Sequence, residues 1–215
     1  MVKAAIFDLD GLLINSEPLW EEAQMFVYTL IGVELDPSIF NNVKGFRLEE
    51  AVGYVYQHHP WEELSTQYVA NMIVNEVERL VLKKGEALPG IENVFSILRK
   101  NGVRVALASS SFHRIIKAAL KRLNMENEFE LISSGQDCIY GKPNPEIYIK
   151  TCISLDLEPW ECLVFEDSLN GVIAGKAAKM KVVAVPEKRL GIDLRFSIAD
   201  YVLETLEDFE VSMLQ

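Results

Sequence analysis

Two aspartates, Asp8 and Asp10, close a short apolar run at the start of this chain, in AAIFDLDG. Side chains two apart on a strand share a face, so the pair is expected side by side where the strand stops, repelling unless something neutralises them. Later apolar runs also end in polar groups. VRVALASSS ends in Ser109, Ser110 and Ser111, CLVFEDS ends in Glu166 and Asp167, and between them GKPNP carries Lys142 on a loop stiffened by Pro143 and Pro145. Asp8, Asp10, Glu166 and Asp167 converging in one crevice would need a cation, and oxygen-only ligands beside a phosphate site suit Mg²⁺. Ser109, the backbone N–H groups beside it at Ser110, and Lys142 supply a hydroxyl, donors and a positive charge for a phosphoryl group. In such a site Asp8, held ionised by Mg²⁺ and Lys142, would attack phosphorus and form an aspartyl-phosphate. Asp10, turned from the metal with a raised pKa, would protonate the leaving oxygen and then deprotonate the hydrolytic water.

Each motif also has a plainer reading. Asp-x-Asp-Gly is equally a turn with solvated carboxylates, and the serines equally an N-cap for the helix starting near Phe112. GKPNP is an ordinary loop sequence, and Glu-Asp-Ser before a helix reads as capping with a favourable dipole interaction. Their order, each at the end of a strand, is what favours chemistry.

The elements that must position these residues follow from periodicity. KAAIFDLD, VRVALAS, ELISS, CLVFED and KVVAV read as strands. IENVFSILRKNG, FHRIIKAALKRLN, PEIYIKTCISLDL and LNGVIAGKAAKM read as helices between them. This alternation predicts an α/β fold, a doubly wound parallel sheet whose ligands bind beyond the carboxyl ends of the strands. From Pro18 to about Leu82 the pattern is helical only. Leu19, Trp20, Ala23, Phe26, Val27, Leu30 and Ile31 form one stripe, and Val69, Met72, Ile73, Val77 and Leu80 another. The expected organisation is a core of residues 1–16 and 84–215 with a small helical cap, 17–83, inserted after the first strand. Crossings near Asn15–Pro18 and Lys84–Pro89 would be its hinges. In NVKGFRLEE, Lys44 and Arg47 flank Gly45 between cap helices, where they could reach a substrate's hydroxyls or equally sit solvated. Trp20 reads as cap core rather than as a platform for a sugar.

Bulk properties narrow the field. A net charge of −11 disfavours nucleic acid and anionic membranes as partners. No stretch reaches the ~18 apolar residues of a membrane span, and the N-terminus lacks the regions of a secretory signal. Cys138, Cys152 and Cys162 show no metal-ligand spacing, which suits a reducing cytoplasm, and His58, His59 and His113 lack neighbouring ligands. Nothing demands more than a monomer, and the stretch from Lys188 onward carries no legible chemistry.

DLDG, LASSS, GKPNP and FEDS, in that order across nearly the whole chain, resemble the haloacid dehalogenase-like hydrolase superfamily. Within it the chain is most similar to the sugar-phosphatase and β-phosphoglucomutase branch, and DGLLINSEPLW nearly matches the pattern of hexitol and 2-deoxyglucose 6-phosphate phosphatases, with Asn15 where an Asp is usual. The resemblance implies a Mg²⁺-dependent phosphatase of a small sugar or sugar-alcohol phosphate. Asp8 would be the nucleophile and Asp10 the acid/base, with Mg²⁺ held by the Asp8 carboxylate, the Asp10 main-chain carbonyl and Asp167, and Glu166 behind or through water. Asp10 argues against a dehalogenase proper. Trp20, where β-phosphoglucomutases usually have His, argues for hydrolysis over the alternative, a phosphosugar mutase.

Overall fold

The computed structural model describes residues 1–43, 47–186 and 193–215. At its centre is a six-stranded parallel sheet of order β3-β2-β1-β4-β5-β6, with β1 at Ala4–Phe7, β2 at Arg104–Ser109, β3 at Leu131–Ser134, β4 at Cys162–Glu166, β5 at Lys181–Ala184 and β6 at Tyr201–Val202. The five strands expected from the apolar runs are all present. The sixth is only Tyr201–Val202 long, too short to show a period.

Alternation along each strand sorts side chains onto two apolar faces, as a period of two requires. Ala5, Phe7, Leu107, Leu163, Phe165 and Val183 face one way, towards α4 (Ile91–Lys100) and α5 (His113–Leu123). Ala4, Ile6, Ala106, Ala108, Val164 and Val182 face the other, towards α6 (Glu146–Ser154) and α7 (Leu169–Ala177). Burial on both faces explains why the strands read as continuous apolar runs. Phe7 stacks on Phe165 at 4.4 Å between ring centroids, which ties β1 to β4 where the strand order reverses.

Between β1 and α4 lie α1 (Glu17–Leu30), a 3₁₀ turn at Pro37–Asn42, α2 (Leu48–His58) and α3 (Thr66–Lys84). In α3, Val69, Ile73, Val77 and Leu80 are buried as their spacing predicts. The stripe expected on α1 needs correction. Leu19, Ala23, Val27 and Tyr28 are buried, whereas Phe26 and Leu30 are 52% and 62% exposed. At about 100° per residue Phe26 and Leu30 lie at nearly the angle of buried Leu19, so the buried face shifts along the helix, from Leu19 and Ala23 in its first half to Val27 and Tyr28 in its second. Helix α3 packs against both α1 and α5, so the apolar interior of the insert continues into one face of the sheet.

The two chain crossings into and out of the insert are bonded to each other. Asn15 N–H donates to Glu86 O (2.9 Å) and Leu88 N–H to Leu13 O (3.0 Å), an antiparallel pairing centred on Ile14 and Ala87. Asn15 is exposed and contributes its backbone to this pairing.

Candidate active site

The site forms where β1 and β4 end. Asp8 N–H continues the sheet by donating to Phe165 O (3.0 Å), and then the chain turns sharply, with the N–H groups of Leu12, Leu13 and Ile14 all directed at Leu9 O. Gly11 makes the turn with φ +75°, a region costly for residues with a Cβ. A Cβ at Gly11 would also stand 2.3 Å from Asp167 Oδ2. The glycine of DLDG therefore has two jobs: to turn the chain and to leave room for a carboxylate from β4.

Lys142 is the hub. Its ammonium donates to Asp8 Oδ1 (2.7 Å), Ala108 O (3.0 Å) and Glu166 Oε1 (2.6 Å), which uses all three of its protons, and its side chain is 6% exposed. The loop that delivers it is pinned by Glu146, in the first turn of α6, whose carboxylate accepts Ile139 N–H (3.1 Å) and Tyr140 N–H (2.9 Å). Lys150 and those two N–H groups hold Glu146 down to about 2.

Burial dominates the electrostatics. It pushes Asp8 up from its ordinary 3.8 to about 7, against the pull of Lys142 and with help from Glu166 and Asp10. The expectation that Lys142 helps keep Asp8 ionised is thus half met, because in the protein alone desolvation outweighs it. Burial, then Glu166 and Asp8, also push Asp167 well above the carboxylate range. Burial alone would lower Lys142, yet Asp8 and Glu166 hold it well above the usual lysine value.

Asp10 is held by a different set of groups. Its Oδ1 accepts from Ser16 Oγ (2.6 Å) and from the Trp20 indole N–H (3.2 Å), and its Oδ2 accepts from Ser111 Oγ (2.6 Å), with Ser109 Oγ 3.5 Å away. Three residues past the end of β1, Asp10 is still near enough to raise Asp8, but its own hydrogen bonds run to a different set of groups. Ser111 stands at a strand end the sequence marks, whereas Ser16 and Trp20 are contacts that periodicity hid. Ser16 and Trp20 look like hinge and helix core, and only DGLLINSEPLW as a unit marks them.

Asp8, Glu166 and Asp167 each bring one carboxylate oxygen within 4.8 Å of the others. Mutually repelling oxygens of this kind, buried on Asp8 and Glu166 and half-buried on Asp167, fit a hard, oxygen-ligated cation, because its charge would relieve the desolvation that raises Asp8 and Asp167. Glu166, fully buried, has other partners for both oxygens: Lys142 and the Tyr148 hydroxyl (2.5 Å) on Oε1, Ser168 N–H (3.2 Å) and Ser168 Oγ (3.0 Å) on Oε2. It also lies so close to α7 that a Cβ at Gly171 would fall 1.8 Å from its carboxylate.

Among the other expected residues, Ser109 is buried, and its Oγ accepts Ser111 N–H (3.0 Å). Ser110 is exposed. The serines do not cap α5: Phe112 holds the N-cap position, and Gln136 Oε1 accepts His113 N–H (2.8 Å). Ser168 does cap α7, accepting Gly171 N–H (3.0 Å). Arg47 reaches across to the loop before Lys142, donating to Ile139 O and Cys138 O, both at 3.3 Å. Lys44 and Gly45 lie outside the described residues.

Comparison with known proteins agrees with this geometry. The chain is 34% identical over 208 residues to hexitol phosphatase B of Escherichia coli (strain K12), covering 96% of this chain and 94% of that protein. It is 28% identical over 216 residues to beta-phosphoglucomutase of Bacillus subtilis (strain 168), covering 96% and 95%. In fold it matches CbbY from Rhodobacter sphaeroides, solved in complex with phosphate, with a TM-score of 0.91 at 23% identity over 100% of this chain and 99% of that one. The family model of haloacid dehalogenase-like hydrolases matches residues 5–185, a span that runs from β1 through β5 and includes every residue around Asp8, Asp10 and Lys142. With its strand-end carboxylates, its lysine loop and its sequence all in agreement, this chain belongs to the haloacid dehalogenase-like hydrolases, as a phosphoric monoester hydrolase.

Proposed function

We propose that this enzyme is a Mg²⁺-dependent phosphatase that hydrolyses a small sugar phosphate or sugar-alcohol phosphate through an aspartyl-phosphate on Asp8. The observation that carries the reading is the different surroundings of two neighbouring carboxylates, Asp8 against the Lys142 ammonium and Asp10 among hydroxyls and an indole. Likeness to hexitol phosphatase B supports the substrate class. Asp8, Asp167 and the Asp10 main-chain carbonyl would hold the metal, with Glu166 behind them. Bound Mg²⁺ would neutralise the carboxylates and the phosphoryl oxygens, favouring the ionised, nucleophilic form of Asp8.

Asp8 attacks phosphorus, and the bond to the leaving oxygen breaks as Asp10 gives that oxygen a proton. Water then attacks the acyl phosphate, giving its proton to Asp10 and freeing Asp8. The partners of Asp10 suit both steps. The Trp20 N–H only donates, so it fixes Oδ1 as an acceptor in either protonation state. The Ser111 hydroxyl can donate or accept, and so leaves Oδ2 to carry the proton. Lys142 stays charged and balances Asp8 and Glu166 throughout.

Residues 17–83 act as a cap on a core of 1–16 and 84–215, moving about the paired crossings at Leu13–Asn15 and Glu86–Leu88 to admit substrate and then exclude water. Ser109 and Ser110 face the phosphate, and Lys44 acts in substrate selectivity, while Arg47 ties α2 to the loop that carries Lys142. The reading takes the enzyme as a cytoplasmic monomer, and its free cysteines suit a reducing compartment.

The test is phosphate release from a panel of hexose, deoxyhexose, pentose and hexitol phosphates, with Mg²⁺ and with EDTA. Metal-dependent release concentrated on a few sugar or sugar-alcohol phosphates is expected. Isomerisation of a sugar phosphate faster than phosphate release would instead establish a mutase, and no turnover of any member would overturn the substrate class.

A further inference from the structure

Tyr148 lies in α6 among Ile147, Cys152 and the Ala106–Ala108 side of the sheet, at 0% exposure. A phenylalanine would fill that space without a polar atom, whereas a buried phenol needs a partner for its hydroxyl. The hydroxyl spends its proton on Glu166 Oε1 at 2.5 Å, and the ring lies 4.9 Å from the Lys142 ammonium. An ionised carboxylate offers about four acceptor sites. Lys142 and Tyr148 take those on Oε1 while Ser168 N–H and Oγ take those on Oε2. Glu166 nevertheless stands within the cluster, one of its oxygens lying within 4.8 Å of an oxygen of Asp8 and of Asp167. It is near enough to ligate a cation, while both of its oxygens already hold other partners.

Building on the metal-dependent reading above, we propose that Tyr148 is a positioning residue that selects the metal, its hydroxyl occupying Glu166 so that the cation meets two carboxylates instead of three. The distinction matters because Mg²⁺ is small, holds water tightly and binds through one or two carboxylates, whereas Ca²⁺ takes more oxygens and gains affinity with each added ligand charge. Without the phenol, Oε1 keeps only its bond to Lys142 and gains a free lone pair with which to reach a cation. The rest of the seat is unaltered, since a phenylalanine ring occupies the same space beneath Lys142.

The test is calorimetric titration of the metal-free full-length protein with MgCl₂ and with CaCl₂, for wild type, Tyr148→Phe and the double variant Tyr148→Phe/Glu166→Gln, each first shown to be folded by circular dichroism. Tyr148→Phe is expected to shift the ratio of Ca²⁺ to Mg²⁺ affinity towards Ca²⁺ by about tenfold, the scale on which groups behind the ligands tune a metal site. The double variant should lose that gain, because the amide cannot act as the third carboxylate. A merely structural phenol would weaken folding and leave the ratio alone. A ratio in Tyr148→Phe within about twofold of wild type, or a gain that survives in the double variant, would overturn the assignment while leaving the phosphatase reading standing. Wild-type protein that binds neither cation would overturn both.

Discussion

Asp8 and Asp10 show how far a role is set by surroundings at the scale of one residue. Replacement of Asp8 by Asn keeps the shape and removes the nucleophile, so turnover should fall by roughly 10³-fold or more in a phosphate-release assay. Asp10→Asn should slow leaving-group departure and acyl-phosphate hydrolysis together, by roughly 10² to 10⁴, while Mg²⁺ affinity by calorimetry stays near wild type. A collapse of affinity would make the Asp10 side chain a ligand. The position of Asp8 also sets a pH dependence. Its carboxyl is raised from 3.8 to about 7 on burial, so folding favours the protonated form. Its contribution to stability is therefore fully present below about pH 4 and is lost as pH rises through about 7. Metal-free wild type should lose more in Tm between pH 5 and pH 8 than metal-free Asp8→Asn does, and equal losses would contradict the shift.

At the scale of elements, the N-terminus of α7 illustrates how a helix start is shaped around a carboxylate. Ser168 caps the helix and also donates to Glu166, and Gly171 leaves the space into which that carboxylate fits. Gly171→Ala would put a methyl group 1.8 Å from Glu166, an overpacked site costing about 1–3 kcal/mol or more, with loss of activity as Lys142 loses its partner. Gly53, in the middle of α2, has open space where its Cβ would stand. Gly53→Ala should therefore stabilise, by about 0.5–1 kcal/mol. Chemical denaturation of the two variants checks both signs. The two exposed members of the α1 stripe teach the same lesson: seven apolar residues mark a helix correctly and five of them meet the core, but Phe26 and Leu30 stay uncovered because coverage depends on what packs beside each turn.

For the whole molecule, the question is how insert and sheet act together. Arg47 ends in two hydrogen bonds to the carbonyls of Cys138 and Ile139, on the loop that carries Lys142. A contact of that kind serves every substrate, whereas a contact to the far end of a sugar serves only long ones. Arg47→Ala should therefore lower kcat/KM for p-nitrophenyl phosphate and for a hexitol phosphate by a similar factor of about five, the scale of two partly exposed charged hydrogen bonds. A loss confined to the hexitol phosphate would return Arg47 to the substrate. The sequence by itself determined five of the six strands, the helices between β1 and β2 and the strand-end motifs, because strand and helix periods and turn residues are local and because DLDG, LASSS, GKPNP and FEDS each lie within a few residues. It also separated Asp10 from the dehalogenase pattern. Only the tertiary structure decided that Asp10 answers to Ser16, Trp20 and Ser111, that Glu166 is held by Tyr148 and Ser168, and that burial outweighs Lys142 at Asp8. Those outcomes depend on distances between residues far apart in the chain and on the loss of water around them, and neither quantity is carried by spacing along the sequence.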